Sequence, residues 1–440
     1  MSLLIIGVTI LSGILLGKLI FRKWFNHLTL YVLIMGGLIF FYQLKLLPYV
    51  RIIPLAWFFI IGAFLSFLFG ILTIVSARNI FREKRIKADT DNYISLPIFA
   101  DGGKALKYSI IFFSLVGLFV AIHRWIILIH LFGSIPAVII NASMVYQLNV
   151  HRAFTQFLPI LSSFVYVAIF LSGIYTAYKG RFLFLSFFPF IDIILKELTY
   201  FGRGEILLSL LEFLFSFFLF RHLLKEDISG KFKFSRKNAI IASTFLMIII
   251  LGSTSMIRVT RGNYENYLGA SNKLNELKHN FIISPSIYLY MSSDVGVFSK
   301  YLQVDNEPTK FGENTFLIFY HFLGRLGIIK DPSDFQKGYY IPMWTNTGTY
   351  LRELHADFGV TGVFLGSYLI GFIITWLWFK FYEGKSLIVF AFLVYFFLIV
   401  GFSFLVMVTR LNQWYISLFL IVAHLPFLEK IAVRNRIVTS

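Results

Sequence analysis

Long apolar runs alternate with short polar connectors along most of this chain, and the length of each run decides what it forms. A helix needs about 20 apolar residues to cross the hydrocarbon core of a bilayer. Runs of that length predict helices near residues 2 to 21, 28 to 47, 54 to 76, 107 to 131 and 157 to 178. A second group is predicted near 182 to 200, 204 to 221, 239 to 257, 359 to 379, 386 to 407 and 413 to 428. The expected fold is an all-α polytopic membrane protein with about 11 spans. No repeat and no low-complexity segment breaks the pattern.

Between the eighth and ninth spans the pattern changes. Residues 258 to 358 form one polar excursion in which basic and acidic residues are equal in number. The chain is thus expected to divide into a membrane region at 1–257, a loop domain at 258–358 and a second membrane region at 359–440. Inside the loop, Ile282 to Leu302 and Thr315 to Leu326 are semi-apolar at helical spacing but too polar or too short to span. Such segments are expected to lie in the membrane interface. Pro285, Pro308, Pro332 and Pro342 separate the pieces.

Composition then removes the ordinary soluble fold, since 58% of residues are hydrophobic and 19% aromatic. There is no cysteine, so thiols carry neither structure nor chemistry. The first run, Ser2 to Ile20, has no basic leader and no small-residue cleavage site, and is read as a membrane helix rather than a signal peptide. The formal charge of +18 would suit nucleic acid if it were clustered at one site. Instead the basic residues fall on alternate connectors, among them Arg22, Lys23, Arg78, Arg82, Lys84, Arg85, Lys179, Arg181, Lys380 and Lys430. Positive connectors stay in the cytoplasm. That orientation explains the charge, leaves no role for nucleic acid, and places the carboxy terminus inside and the long excursion outside.

Candidate chemistry concentrates in Thr345-Asn-Thr-Gly-Thr-Tyr-Leu-Arg-Glu-Leu-His-Ala-Asp-Phe-Gly359, just before a long apolar run. Arg352, Glu353, His355 and Asp357 fall within six positions of a chain that is 14% charged. Read as a helix, Arg352 and His355 share one face, and Glu353 and Asp357 another. On the same expected side lie Arg203, Arg258, Arg261, Arg325 and Arg410. Arginine rather than lysine is the telling choice, because its planar fork binds phosphate through two hydrogen bonds and keeps its charge when partly desolvated. A lipid-linked diphosphate is the expected anion.

No metal or cofactor is expected. Asp89-Thr-Asp91, the one Asp-x-Asp, sits in a basic connector read as cytoplasmic. No His-x-x-x-His, cysteine pair or phosphate-binding loop is present.

Several stretches resemble the bacterial oligosaccharide repeat unit polymerases, the Wzy-type O-antigen and capsule polymerase family. They are Phe201-Gly-Arg-Gly-Glu-Ile-Leu-Leu-Ser-Leu, Ser284-Pro-Ser-Ile-Tyr-Leu-Tyr, Phe311-Gly-Glu-Asn-Thr-Phe, Thr345-Asn-Thr-Gly-Thr-Tyr and His355-Ala-Asp-Phe-Gly-Val-Thr-Gly362. The resemblance covers roughly Phe201 to Gly371, with the pattern ending in Asp-Phe-Gly as its most specific part. It implies a bacterial inner-membrane glycosyltransferase of GT-C-like architecture with a periplasmic loop. Donor and acceptor would both be polyprenyl-diphosphate-linked oligosaccharides, and a chain-length regulator is a further partner. By this resemblance Arg203, Arg258 or Arg261, Arg352 and Asp357 are the positions to carry over.

The chemistry can also be built from the residues. Transfer from a polyprenyl diphosphate breaks the bond between the anomeric carbon and a phosphate oxygen, and placed cations stabilise the charge that develops. Arg203, Arg258, Arg261, Arg352 and Arg410 are the expected diphosphate ligands. A helix beginning near Gly359 would point its amino end at the same anion. Asp357, Glu353 and His355 are candidates to accept the acceptor hydroxyl's proton. Tyr339, Tyr340, Trp344 and Tyr350 are expected to stack on sugars. Two other readings remain at this point: an O-antigen ligase using the same donor, and a flippase for lipid-linked glycans, whose expected marks are internal pseudo-symmetry and charges through the membrane depth.

Overall fold

The computed structural model describes residues 3–82, 96–150, 160–202, 204–227, 244, 272, 285–304, 308–341 and 344–439. Among these, seven helices are long and apolar enough to cross a membrane: Leu3–Phe21, Pro54–Arg78, Lys104–Phe132, Leu161–Lys179, Gly204–Leu224, Tyr350–Gly384 and Asn412–Ile437. His27–Gln43 and Leu387–Phe402 are apolar but shorter. The chain is a polytopic helical membrane protein. Of the run at 239 to 257 only residue 244 is described. The run at 182 to 200 forms the helix Phe184–Glu197. Its 14 residues rise only about 21 Å, short of the roughly 30 Å hydrocarbon core.

The chain folds as two compact units. The first takes Met1–Thr90, Glu265–Gly384 and Tyr395–Trp414; the second takes Asp91–Tyr264, Lys385–Val394 and Tyr415–Ser440.

In the first unit, Asn26 stands extended at the head of His27–Gln43 and accepts from the Thr29 N–H, which stops the preceding helix and starts the next. The helix pair at its centre is 54–82 against 350–384. Their backbones touch because glycines face each other's chains: a Cβ on Gly371 would strike the Phe67 carbonyl, and one on Gly70 the Tyr368 carbonyl. Small residues at a crossing are how membrane helices gain close packing. His27, fully buried, bonds Thr375 Oγ1 at 2.9 Å across this core.

The predicted span at 359 to 379 begins nine residues earlier, at Tyr350, and runs to Gly384. Gly359 interrupts it with φ 64° and ψ −148°, a region that essentially glycine alone occupies. Two helices thus meet at this kink, the second starting close to the position expected near Gly359 and the first at Tyr350. There the Tyr350 N–H donates to Ser403 O at 3.0 Å, and the Arg352 N–H to Thr349 O at 2.9 Å. The short helix before the kink holds because Leu351 and Leu354 pack inward while its charged residues each find partners.

Between the membrane helices, the first unit carries Pro285–Tyr290, Asp294–Val304, Leu317–Arg325 and a two-stranded antiparallel ladder, Tyr339–Tyr340 with Trp344–Thr345. In the second unit, Phe164–Lys179 is the central helix, almost wholly buried. Lys104–Phe132, Phe184–Glu197 and Gly204–Asp227 pack around it.

Candidate functional site: a cationic cleft

A cleft of about 80 Å³ lies beside the short helix that precedes Gly359. Among the described residues it is lined by four basic side chains, Lys310, Lys337, Arg352 and Arg410, and two acidic ones, Glu313 and Glu353. Tyr301, Asn314, Ser333 and Gln336 complete most of its polar wall.

Arg352 is 5% exposed. Its guanidinium donates to Asn346 O at 3.2 Å and Lys337 O at 2.5 Å, and lies 5.0 Å from the Tyr339 ring centre and 5.7 Å from that of Tyr301. Ring faces attract a cation without neutralising it. The close fit depends on Gly348, since a Cβ there would lie 2.7 Å from Arg352 Cδ.

Arg410, in the short turn Val408–Arg410, is 7% exposed and reaches three segments at once. It donates to the Asn314 side-chain oxygen, to Ser333 O at 2.8 Å and to Asp334 O at 3.3 Å. Glu353 Oε1 stands 3.6 Å away. Glu353 itself accepts from the Met407 N–H and from Gln336 Nε2.

Asp357 is fully buried beside this cluster. Its two oxygens accept from Asn314 N (2.9 Å), Asn314 Nδ2 (2.8 Å), Thr315 N (2.7 Å) and Thr315 Oγ1 (2.7 Å). Four donors on one carboxylate make it the clamp that fastens residues 314–315 to the helix. The Asn314 side-chain oxygen in turn accepts from Arg410. His355 points elsewhere: its Nδ1 lies 3.0 Å from Tyr301 OH and its ring meets Phe59 edge-on at 5.1 Å.

The aromatic candidates separate by exposure. Tyr340 and Trp344 are 73% and 56% exposed and sit directly opposite each other across the ladder. Tyr339 is buried beneath Arg352. Tyr350 does not reach the cleft: it is buried in the helix core, bonded to Tyr31 OH at 2.8 Å and Ser367 Oγ at 3.0 Å. That burial removes it from the rings expected to meet a sugar. Arg203, Arg258 and Arg261 lie outside the described residues, as do Asp89 and Asp91.

Two features were not singled out from the sequence. Asp294 is fully buried at the start of its helix, accepts from Thr347 Oγ1 at 2.7 Å, and is pushed up to about 8 by burial. Thr347 belongs to the polar stretch whose Asn346 carbonyl holds Arg352, so Asp294 braces the wall of the cleft.

The second feature is in the second unit. Lys196 Nζ contacts Glu205 Oε2 at 2.6 Å, and Tyr166 OH donates to the same oxygen at 2.8 Å. Arg124 bonds Thr199 Oγ1 at 3.0 Å and Asn149 Oδ1 at 3.1 Å, and covers the Tyr200 ring at 3.6 Å. Asp192 and Glu197 are buried on the same helix as Lys196. The signal was present as three ionisable residues inside one apolar run. Among the described residues, no group of three His, Cys, Asp or Glu side chains is placed to hold a metal ion.

No family model matches this chain, and neither does any curated protein or any solved structure. Fold and site thus define a class only: a multi-pass helical membrane protein with a cationic, polar-walled cleft beside its longest helix.

Proposed function

We propose that this protein is a membrane glycosyltransferase that polymerises polyprenyl-diphosphate-linked oligosaccharide repeat units at the periplasmic face of a bacterial inner membrane. The observation that carries the reading is the state of Arg352 and Arg410. Both are nearly buried, and their hydrogen bonds go to backbone carbonyls and a side-chain amide. Arg352, held this way, keeps most of its charge for an anion entering the cleft, whereas Arg410 is shared with Glu353 Oε1 at 3.6 Å; a cation's pull is strongest where water is excluded. A diphosphate leaving group fits, with Lys310 and Lys337 at the rim. The reaction needs no metal in this scheme, because the guanidinium groups receive the negative charge as the glycosidic bond breaks.

Transfer also needs an acceptor for the hydroxyl proton. Asp357 is ill-suited, with four donors already on its oxygens. His355 turns its ring to Tyr301 and Phe59, so of the three candidates Glu353 is the one that lines the cleft. Tyr340 and Trp344 supply exposed rings for sugar stacking.

The test is incubation of the purified protein with a lipid-diphosphate oligosaccharide. A ladder of chain lengths supports the polymerase; in a parallel reaction given a lipid A core acceptor, a single capped core without a ladder would instead mark an O-antigen ligase. A second reading, a lipid-linked glycan transporter, is favoured by the buried ionisable side chains of the second unit, Asp192, Lys196 and Glu197. Movement of glycolipid across vesicles without any new glycosidic bond would favour it.

A further inference from the structure

The helix Leu317–Arg325 has two unlike faces. Its inward face carries Leu317 and His321, both buried. The His321 ring is held between Asp331 (Nδ1 to Oδ1, 2.7 Å) and Asp334 (Nε2 to Oδ1, 2.9 Å). The same loop gives the Ser333 and Asp334 carbonyls to Arg410. The inward face is therefore wired to the cleft.

The outward face is phenyl. Phe316, Phe319 and Phe322 follow at three-residue steps and are 43%, 58% and 61% exposed. Phe311, Leu326 and Ile328 extend the apolar patch at either end, and Arg325 and Lys330 stand exposed at its margin. Contiguous apolar surface of this kind marks an interaction site, and an amphipathic helix with a phenyl face and basic flanks is suited to a lipid interface.

Its position says which partner covers it. The Lys310 and Phe311 N–H groups donate to Ala356 O and Asp357 O, both at 2.9 Å, tying the patch to the last turn before Gly359. A Cβ on Gly312 would lie 3.0 Å from the Phe316 ring and 3.1 Å from the Phe358 ring, so those rings flank one point. Beyond it Phe358, Val360 and Leu365 are exposed along the membrane-crossing helix. The phenyl stripe thus adjoins an exposed apolar surface of the membrane-crossing helix.

We infer that Leu317–Arg325 is a lipid-inserted arm. Phe316, Phe319 and Phe322 lie among the acyl chains of the adjoining leaflet, with Arg325 and Lys330 at the phosphates. Insertion sets the height of the cleft, because the arm's inner face positions the carbonyls that hold Arg410. This inference does not depend on glycan transfer.

The chain has no cysteine, so single labelling sites can be placed in the full-length protein. Nitroxide labels at Phe319→Cys, Phe322→Cys and Lys330→Cys would be compared in vesicles of phosphatidylcholine and phosphatidylglycerol. The labels at 319 and 322 should collide several-fold more with oxygen than with an aqueous nickel chelate, and the label at 330 should show the reverse order. Nickel access at 319 and 322 equal to that at 330 would overturn the proposal. So would protection of the stripe from both reagents, which would mark a protein partner. A label at Phe316→Cys gives an independent reading of the same face should one variant fail to fold.

Discussion

Arg352 and Lys196 are equally hidden from solvent, 5% and 3% exposed, yet they are satisfied in opposite ways. Lys196 has a carboxylate at 2.6 Å, so its charge is cancelled within the second unit. Arg352 rests on two carbonyls and two tyrosine faces, groups that solvate a cation without neutralising it. A buried pair is a closed account in electrostatic terms, whereas a cation on neutral dipoles remains able to bind an anion. The comparison separates a structural charge from a functional one where burial alone would not.

The largest expected effect comes from the cleft arginines. Arg352→Ala should abolish chain extension while lowering stability by about 3 kcal/mol, the lower end for two lost charged hydrogen bonds. Arg410→Ala should lose activity and also destabilise by about 3 kcal/mol or more, because Glu353 stays buried without its cation. Thermal unfolding in detergent, run beside the product assay, separates lost activity from lost fold. Arg352→Lys should fail as well, since an ammonium lacks the planar fork.

Lys196→Met sharpens the other side of the comparison. Leaving Glu205 without its partner should cost about 3 kcal/mol, and adding Glu205→Gln should recover much of it. A double variant as unstable as the single one would show that the pair is not a closed unit. Unfolding transitions of the three variants check this.

Asp357→Asn should lower stability by about 3 kcal/mol, because an amide nitrogen would face backbone donors that now point at a carboxylate. The loss of activity should track unfolding, with no change in the shape of the pH profile. A shifted profile in a folded variant would return Asp357 to the role of proton acceptor.

A pH-dependent effect belongs to Asp294. Burial raises its carboxyl from 3.8 to about 8, so the folded state holds a proton that the unfolded chain releases. Its contribution is fully present below about pH 4 and is lost as pH rises towards 8. Asp294→Asn still accepts from Thr347 but cannot titrate. The variant's stability should therefore decline less between those pH values, measured by denaturant melts of the purified protein.

Much of the architecture was legible in hydropathy. The runs at 2 to 21, 54 to 76 and 107 to 131 correspond to helices Leu3–Phe21, Pro54–Arg82 and Lys104–Phe132, because run length alone decides whether a helix can span. The kink at Gly359 was not legible, since a glycine between two helical stretches reads equally as a helix start. At the site, Arg352, Glu353 and Arg410 do meet in one cleft. Asp357 could not be read correctly, as its four donors come from residues 42 and 43 positions away. Tyr350 shows the same limit: an aromatic beside a membrane helix looks alike whether it faces sugar or core. Asp294 was passed over inside a semi-apolar run, and the Lys196 cluster inside an apolar one, because hydropathy averages hide single charges.

The most direct test of the central claim is the product pattern of purified Arg352→Ala against the unmodified protein, each given a lipid-diphosphate oligosaccharide. The account predicts a ladder from the unmodified protein and only unreacted substrate from a variant that still unfolds cooperatively. An undiminished ladder from the folded variant would show that the cation held on carbonyls and tyrosine rings plays no part in the reaction.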